Sequence, residues 1–444
     1  MEQDISGMNS ALGARGRRRW VRTMAGAGLV LALGLGPLAG CGGNAENNAD
    51  NASLRLLNAS VGYASLDLAL GTTPASSPVA TGAVGAYASA VTTGVSTVIS
   101  ANGLALSSIS RTFGAGKHYS LVAYGPAGAL KTVLVGEDVT AAAAGQASLQ
   151  VLNLATDAGS VDVYLTGSSD ALEDATPTAA SITAGGSAPY TTVTAGTYRL
   201  RVTGAGDKTD LRLDAQGLVL GSTQVASLVV SEGVGGVLVN SVLLQQQGKA
   251  SALNNPQARV RVVAAVDGAA SVAVQAGGTA VVAGITAPNI GSYVRVTGGK
   301  AVPVDISVNG NTVSSLQDLS AGGDYTLLVW GDKAAPQLTR VVDDNRYPTV
   351  AGYAKIRLVN GITGAATAMT LKADFSAVGG AINPGQVSAY ANVAANTAMR
   401  LDVSSGSNAA VYTLTGAGVV AKGLYTMYLL GPANELVADF RRER

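Results

Sequence analysis

The sequence is poor in the residues that usually carry chemistry. It has one cysteine, Cys41, and one histidine, His118, in 444 residues. A single cysteine excludes internal disulfides, and a single histidine leaves multi-histidine metal sites and serine–histidine relays without material. There is no Gly-x-Ser-x-Gly elbow, no glycine loop with a lysine for phosphates and no Cys-x-x-Cys. Aromatics make up 5% of the chain and charged residues 13%, the latter well under the usual share of about a quarter. After Cys41 no apolar run approaches the roughly 20 residues of a spanning helix, so the body is expected to be soluble. Taking the five arginines and two acids of residues 1–40 from totals of 29 and 28 leaves 24 basic and 26 acidic residues, a net charge of −2. That balance is no electrostatic footprint for nucleic acid or an anionic surface.

What is present begins with a leader. Arg15, Arg17, Arg18, Arg19 and Arg22 precede an uncharged apolar run from Met24 to Leu38, about 15 residues and rich in glycine. A basic segment, a short apolar segment and small residues are the parts of a secretory signal rather than of a spanning helix. The segment Leu38-Ala39-Gly40-Cys41 resembles the lipobox of bacterial lipoproteins. The resemblance implies cleavage before Cys41, acylation of its sulfur and of the new amino terminus, and so membrane attachment through lipid, since two or more chains make an anchor stable. Gly42 stands where an aspartate would resemble an inner-membrane retention signal, so an outer-membrane lipoprotein is expected, on its periplasmic or its surface face. "RRRWVR" loosely resembles a twin-arginine export signal, and an ordinary basic segment is the preferred reading.

The body repeats itself. "ASLRLLNAS", "ASLQVLNLA", "ARVRVVAAV" and "AKIRLVNGI" begin at Ala52, Ala147, Ala258 and Ala354. A tyrosine recurs after small residues at Tyr87, Tyr190, Tyr293 and Tyr390, and each unit closes on an apolar segment such as "HYSLVAYG" or "DYTLLVWG". Three features in the same order four times indicate tandem modules. The opening segments alternate, Leu54 and Leu56 flanking Arg55 and Ile356 and Leu358 flanking Arg357, which predicts strands with one buried face. The closing segments are apolar on both sides, as in a central strand covered on both faces. Glycine, asparagine and serine clusters supply the turns. The expected fold is all-β: tandem antiparallel β-sandwich modules of immunoglobulin-like size after the signal peptide.

This signature resembles the bacterial repeat family called domain of unknown function 4397, with "ASLQVLNLATDAGSVDVYLTG" and "YTTVTAGTYRLRVTG" of the second unit fitting best. The resemblance implies a sandwich in secreted or surface proteins, with no agreed activity. The expected organisation is a signal peptide at 1–40, a polar tether at 41–51, and modules at 52–146, 147–250, 258–350 and 353–444. The polar stretch "LLQQQGKASALNNPQ" (243–257) is expected to be a flexible link, making two pairs of modules with a hinge near residue 250.

Candidates for chemistry are few. His118 sits at the variable entry to a strand, where the third unit has Asp324 and the fourth Leu424. Asp67 and Asp162 share a strand position and read as solvent-facing members of their alternation rather than as ligand contacts. Asp343, Asp344 and Asn345 in "VVDDNRYP" read as a turn at a module junction rather than as a calcium loop. The recurrent tyrosines read as a repeated packing piece rather than as a glycan-stacking row. No catalytic, cofactor-binding or metal-binding residue is therefore assigned, and Cys41 alone carries a modification. The expected function is a non-enzymatic envelope protein that binds an unknown envelope or extracellular ligand, with no nucleic acid and no cofactor. The alternatives are a paired-carboxylate hydrolase of envelope polymers and a purely structural spacer.

Overall fold

The computed structural model describes residues 51–364, 367–406 and 410–444. Cys41, the leader and nearly all of the tether lie outside them. The described chain is all-β, and its strands form eight sheets, two in each of four successive stretches.

In the first stretch one sheet is built on the opening strand Ala52–Asn58. It pairs with the closing strand His118–Tyr124, which in turn pairs with the return strand Lys131–Gly136. The other sheet holds Ser65–Leu70, Val95–Ala101 and Leu104–Arg111. The same plan recurs with opening strands Gln146–Asn153, Gln257–Val266 and Tyr353–Thr363. The matching closing strands are Val225–Glu232, Asp324–Gly331 and Leu424–Pro432. Each stretch has its own hydrophobic core between its two sheets. Leu54, Leu56, Leu66, Leu68 and Leu121 represent the first, and Val260, Val262, Val272, Val304 and Leu327 the third.

The pairing is antiparallel except at one place per module. Every opening strand runs parallel to its closing strand, for example Leu56 beside Leu121 and Val262 beside Leu327. Parallel neighbours need a long crossover, and here the crossover is the whole second sheet. The sheets are thus mixed rather than purely antiparallel.

Alternate residues of the opening and closing strands point away from the module's own core, yet they are not in solvent. Leu57, Ala59, Val122 and Tyr124 of the first module pack against Leu152, Leu154, Val229 and Val242 of the second. Val263, Ala265 and Leu328 of the third pack against Val359, Tyr428 and Leu430 of the fourth. Fully burying such a side chain stabilises by about 1.5–3 kcal/mol, so parting either pair would expose several of them. The modules therefore join back to back, first to second and third to fourth. Gly361 marks how close the second contact is, because a Cβ there would lie 2.7 Å from both Ala265 Cβ and Leu430 Cδ2.

The stretch 243–257 differs from the expected flexible link. Val239–Gln245 and Ala250–Leu253 form an antiparallel hairpin that adds a fifth strand to the second module's sheet. Asn255 beyond it is 2% exposed and donates to the carbonyls of Arg212 and Val239. The two pairs also meet directly. The Gly235 N–H donates to Gly322 O at 2.9 Å, and the Asn345 N–H donates to Gly235 O at 3.1 Å. Arg444 donates to Gly236 O, to Asn345 O and to Asp157 O. A hydrogen-bonded seat stands where a hinge was expected, because polar residues of low apolar content still form a strand when a sheet edge offers them partners.

Candidate functional site

The alternating arginines of the opening strands were expected on a solvent face. They are buried: Arg55, Arg261 and Arg357 are each 2–3% exposed. They lie on the faces where modules meet, and a buried guanidinium must be paired and hydrogen-bonded. Three neighbours recur with them. One is a hydroxyl on the closing strand, Ser120, Thr326 or Thr426. The second is a carboxylate after or at the end of the return strand, Glu137, Asp343 or Glu443. The third is the recurrent tyrosine.

In the third and fourth modules the pairing is reciprocal. Arg261 of the third donates to Glu443 Oε2 at 2.7 Å, and Arg357 of the fourth donates to Asp343 Oδ1 at 2.6 Å. Thr326 and the Tyr293 phenol both donate to Asp343 Oδ2, at 2.6 and 2.7 Å, and the Tyr428 phenol donates to Glu443 Oε1 at 2.7 Å. Arg261 lies 4.7 Å from the Tyr293 ring centre and Arg357 4.5 Å from that of Tyr390. Burial opposes the charge on Arg357, but Asp343 together with Tyr390 and Tyr293 offsets it and holds the guanidinium above its ordinary range. Burial likewise opposes the charge on Glu443, and Arg261 overcomes it, so the carboxyl sits below its usual range.

In the first pair the charges stay in one module. Arg55 Nη2 reaches both Glu137 oxygens at 2.8 Å and crosses the interface only to backbone, donating to Gln245 O at 3.0 Å and to Gly248 O. Tyr87 and Ser120 also donate to Glu137. The second module carries Gln150 and Gln246 at the equivalent arginine and acid positions, so both charges are replaced by amides. Tyr190 there faces Ser227 at 3.4 Å.

The tyrosines are thus packed against guanidiniums and hydroxyls between modules, and do not line an open surface. His118 holds Asp138, its Nδ1 3.0 Å from Oδ1, with the Tyr87 ring edge-on at 5.5 Å. Asp67 is half-buried, and Asp162 departs further from the expected solvent position. It is 5% exposed, and its carboxylate accepts from the N–H groups of Ser181 at 2.7 Å and Gly206 at 2.8 Å. Asp162 ties the strand Ala179–Ile182 to the turn at Gly206, and its place in the alternation does not reveal this. The "VVDDNRYP" acids are committed to cations: Asp343 to Arg357, Asp344 to Arg346 at 2.6 Å and to Lys355 at 3.0 Å. The segment is more than a turn, since it binds the third module to the fourth. Among the described residues no group of three or more histidine, cysteine, aspartate or glutamate side chains could hold a metal ion.

One open cavity stands at the junction of the pairs, about 440 Å³ in volume. Pro126 and Lys131 come from the first module, Thr156 and Asp157 from the second, and Lys355 and Lys422 from the fourth. The connecting segment adds Asp344, Arg346, Tyr347 and Pro348. Asp157 is 8% exposed, accepts from the Tyr347 N–H at 3.2 Å, and is pushed up by burial against the counter-pull of that N–H and Arg444. Its neighbour Glu232, 3% exposed, is also raised by burial, although it accepts from the Thr156 N–H at 3.0 Å. Lys355 is pushed down by burial, which outweighs Asp344. Lys422 has φ +64° at a turn where the second module has Thr223, also at +64°, and the first and third have Gly116 at +68° and Gly322 at +76°. The N–H at this position donates to the residue that begins or precedes the opening strand in all four modules. A lysine there carries about 1–3 kcal/mol of backbone strain that glycine would avoid.

A model of a family described as a domain of unknown function, DUF4397, matches residues 52–164 and 258–367, together half of the chain. The chain belongs to the DUF4397 family. Each DUF4397 match begins at the opening strand of a pair's first module and runs past the opening strand of its second. The matched stretches therefore span the back-to-back contact rather than one sandwich. No curated protein matches the chain.

Proposed function

We propose that this DUF4397 protein is a lipid-anchored, non-enzymatic binding protein of the cell envelope. Cys41 would carry the lipid, the polar residues after it would form the leash, and the clasped modules would present one preorganised body outside the cytoplasm. The observation that carries the binding role is the polar cavity lined by three modules, because binding sites favour clefts between packed units. The titratable groups argue against the hydrolase alternative. A retaining or inverting pair needs two carboxylates facing one substrate. Asp157 lines the cavity, whereas Glu232 beside it does not, and Asp344 is spent on Arg346 and Lys355. A pure spacer would need no such cleft.

Fractionation and protease shaving of cells test the reading. The wild-type chain is expected in the membrane fraction and Cys41→Ala in the soluble one. A Cys41→Ala chain that stays membrane-bound would overturn the lipid anchor. Loss of the body on shaving intact cells would assign it to the surface, and protection until the envelope is opened would assign it to the periplasm.

A further inference from the structure

The junction cavity has a chemistry of its own. Its walls carry four cations, Lys131, Arg346, Lys355 and Lys422, against two carboxylates, Asp157 and Asp344. Arg346 and Lys355 share Asp344. Lys131 and Lys422 are exposed at the rim and enter no ion pair among the described residues. The two come from different modules, so the cavity's free positive charge exists only when the pairs are seated together. Thr156, Thr349 and Asn392 add neutral hydrogen-bonding groups, and Pro126 and Pro348 add apolar faces. The cavity also places Asp157, whose charge burial disfavours, against a hydrogen-bond donor of its own, the Tyr347 N–H.

We propose, building on the binding reading above, that this cavity holds an anionic sugar. Lys131 and Lys422 take the acidic group, and Asp157, Thr349 and Asn392 take hydroxyls. A bare phosphate or carboxylate would satisfy the cations but leave Asp157 facing an anion, whereas sugar hydroxyls can donate to it. A volume of about 440 Å³ falls in the range of small-ligand sites and suits a ligand of one or two rings.

Isothermal titration of the full-length chain tests this with three probes: sodium glucuronate, glucose 6-phosphate and neutral glucose. The comparison protein is the Lys131→Ala, Lys422→Gly double variant. Both sites are exposed, and Lys422→Gly installs the residue that the first and third modules use at that turn, so the variant is expected to keep or raise the melting temperature. At least one anion should bind about tenfold more tightly than glucose, and the double variant should lose about tenfold in that affinity. Glucuronate alone binding would identify a carboxylate as the acidic group, and glucose 6-phosphate alone a phosphate, either in support. Equal affinity for glucose, equal affinity in a folded double variant, or no binding of either anion would overturn the proposal. Binding of a glutamate-rich peptide at the cavity with both sugars silent would overturn it too. Release of reducing ends from a bound hyaluronan oligosaccharide would support the site while overturning the non-enzymatic reading, so the two failures can be told apart.

Discussion

The first and second modules meet as the third and fourth do, through the same strands, but the two contacts handle buried charge differently. In the second pair the charges cross, Arg261 to Glu443 and Arg357 to Asp343. In the first pair a single ion pair, Arg55 with Glu137, stays inside one module, and glutamines occupy the matching places in the other. A buried ion pair is weak evidence for stability, since desolvation cancels much of its attraction, but losing one partner alone is expensive. The second module lacks both charges, not one, which is the outcome that energetics favours. What the two contacts share is the apolar cluster, and what differs is whether the buried charges cross it.

The largest effect is expected from cutting a crossed pair. Arg357→Met leaves Asp343, 1% exposed, without its cation and should cost about 3–5 kcal/mol in urea unfolding. Arg55→Met should cost less, because Glu137 keeps three donors, Tyr87, Ser120 and the Gln247 N–H at 2.8 Å, where Asp343 keeps two, Thr326 and Tyr293. Equal losses would remove the distinction between the two contacts. Next comes crowding at the closer contact. Gly361→Val places side-chain atoms against Ala265 and Leu430 and should cost about 1–3 kcal/mol. The first pair holds Ala59 and Leu154 at this repeat position, and Ala59→Val should be milder by thermal unfolding. A smaller effect sharpens the charge argument. Arg55→Gln with Glu137→Gln copies the second module, and the double variant should be more stable than Glu137→Gln alone by about 1 kcal/mol.

The smallest effect is a pH dependence. Asp157 and Glu232 are raised in the folded chain, so the fold binds their protons more tightly than the unfolded chain does. Stability from these two should rise as pH falls from neutral through their folded values. Glu443 and Asp344 are lowered, so their contribution is present above the ordinary values of 4.5 and 3.8 and is lost as pH falls below them. The melting temperature should therefore peak on the acid side of neutrality. Glu232→Gln should flatten the limb above the peak, and an unchanged limb would show that Glu232 is not its source.

The sequence made the strands and their repetition legible, because period-two alternation and recurrent glycine turns are local. It did not reveal what the second face of the opening strands meets. Arg55, Arg261 and Arg357 alternate with aliphatic residues as surface arginines do, and alternation reports polarity, not exposure. The clue lay far along the chain, in acids or glutamines recurring at Glu137, Gln246, Asp343 and Glu443, in step with Arg55, Gln150, Arg261 and Arg357. Gln246 and Gln247 looked like linker, yet Gln246 bonds Val139 through both its oxygen and its amide. The cavity was invisible for the same reason, since Lys131, Asp157, Arg346 and Lys422 come together only through the seating of the pairs.

A double-mutant cycle on Arg261→Met and Glu443→Gln, read by equilibrium unfolding, tests the crossed clasp most directly. These residues lie 182 positions apart and in different modules. A coupling of about 1–3 kcal/mol is expected, and additivity within about 0.5 kcal/mol would show that the two charges do not hold the modules together.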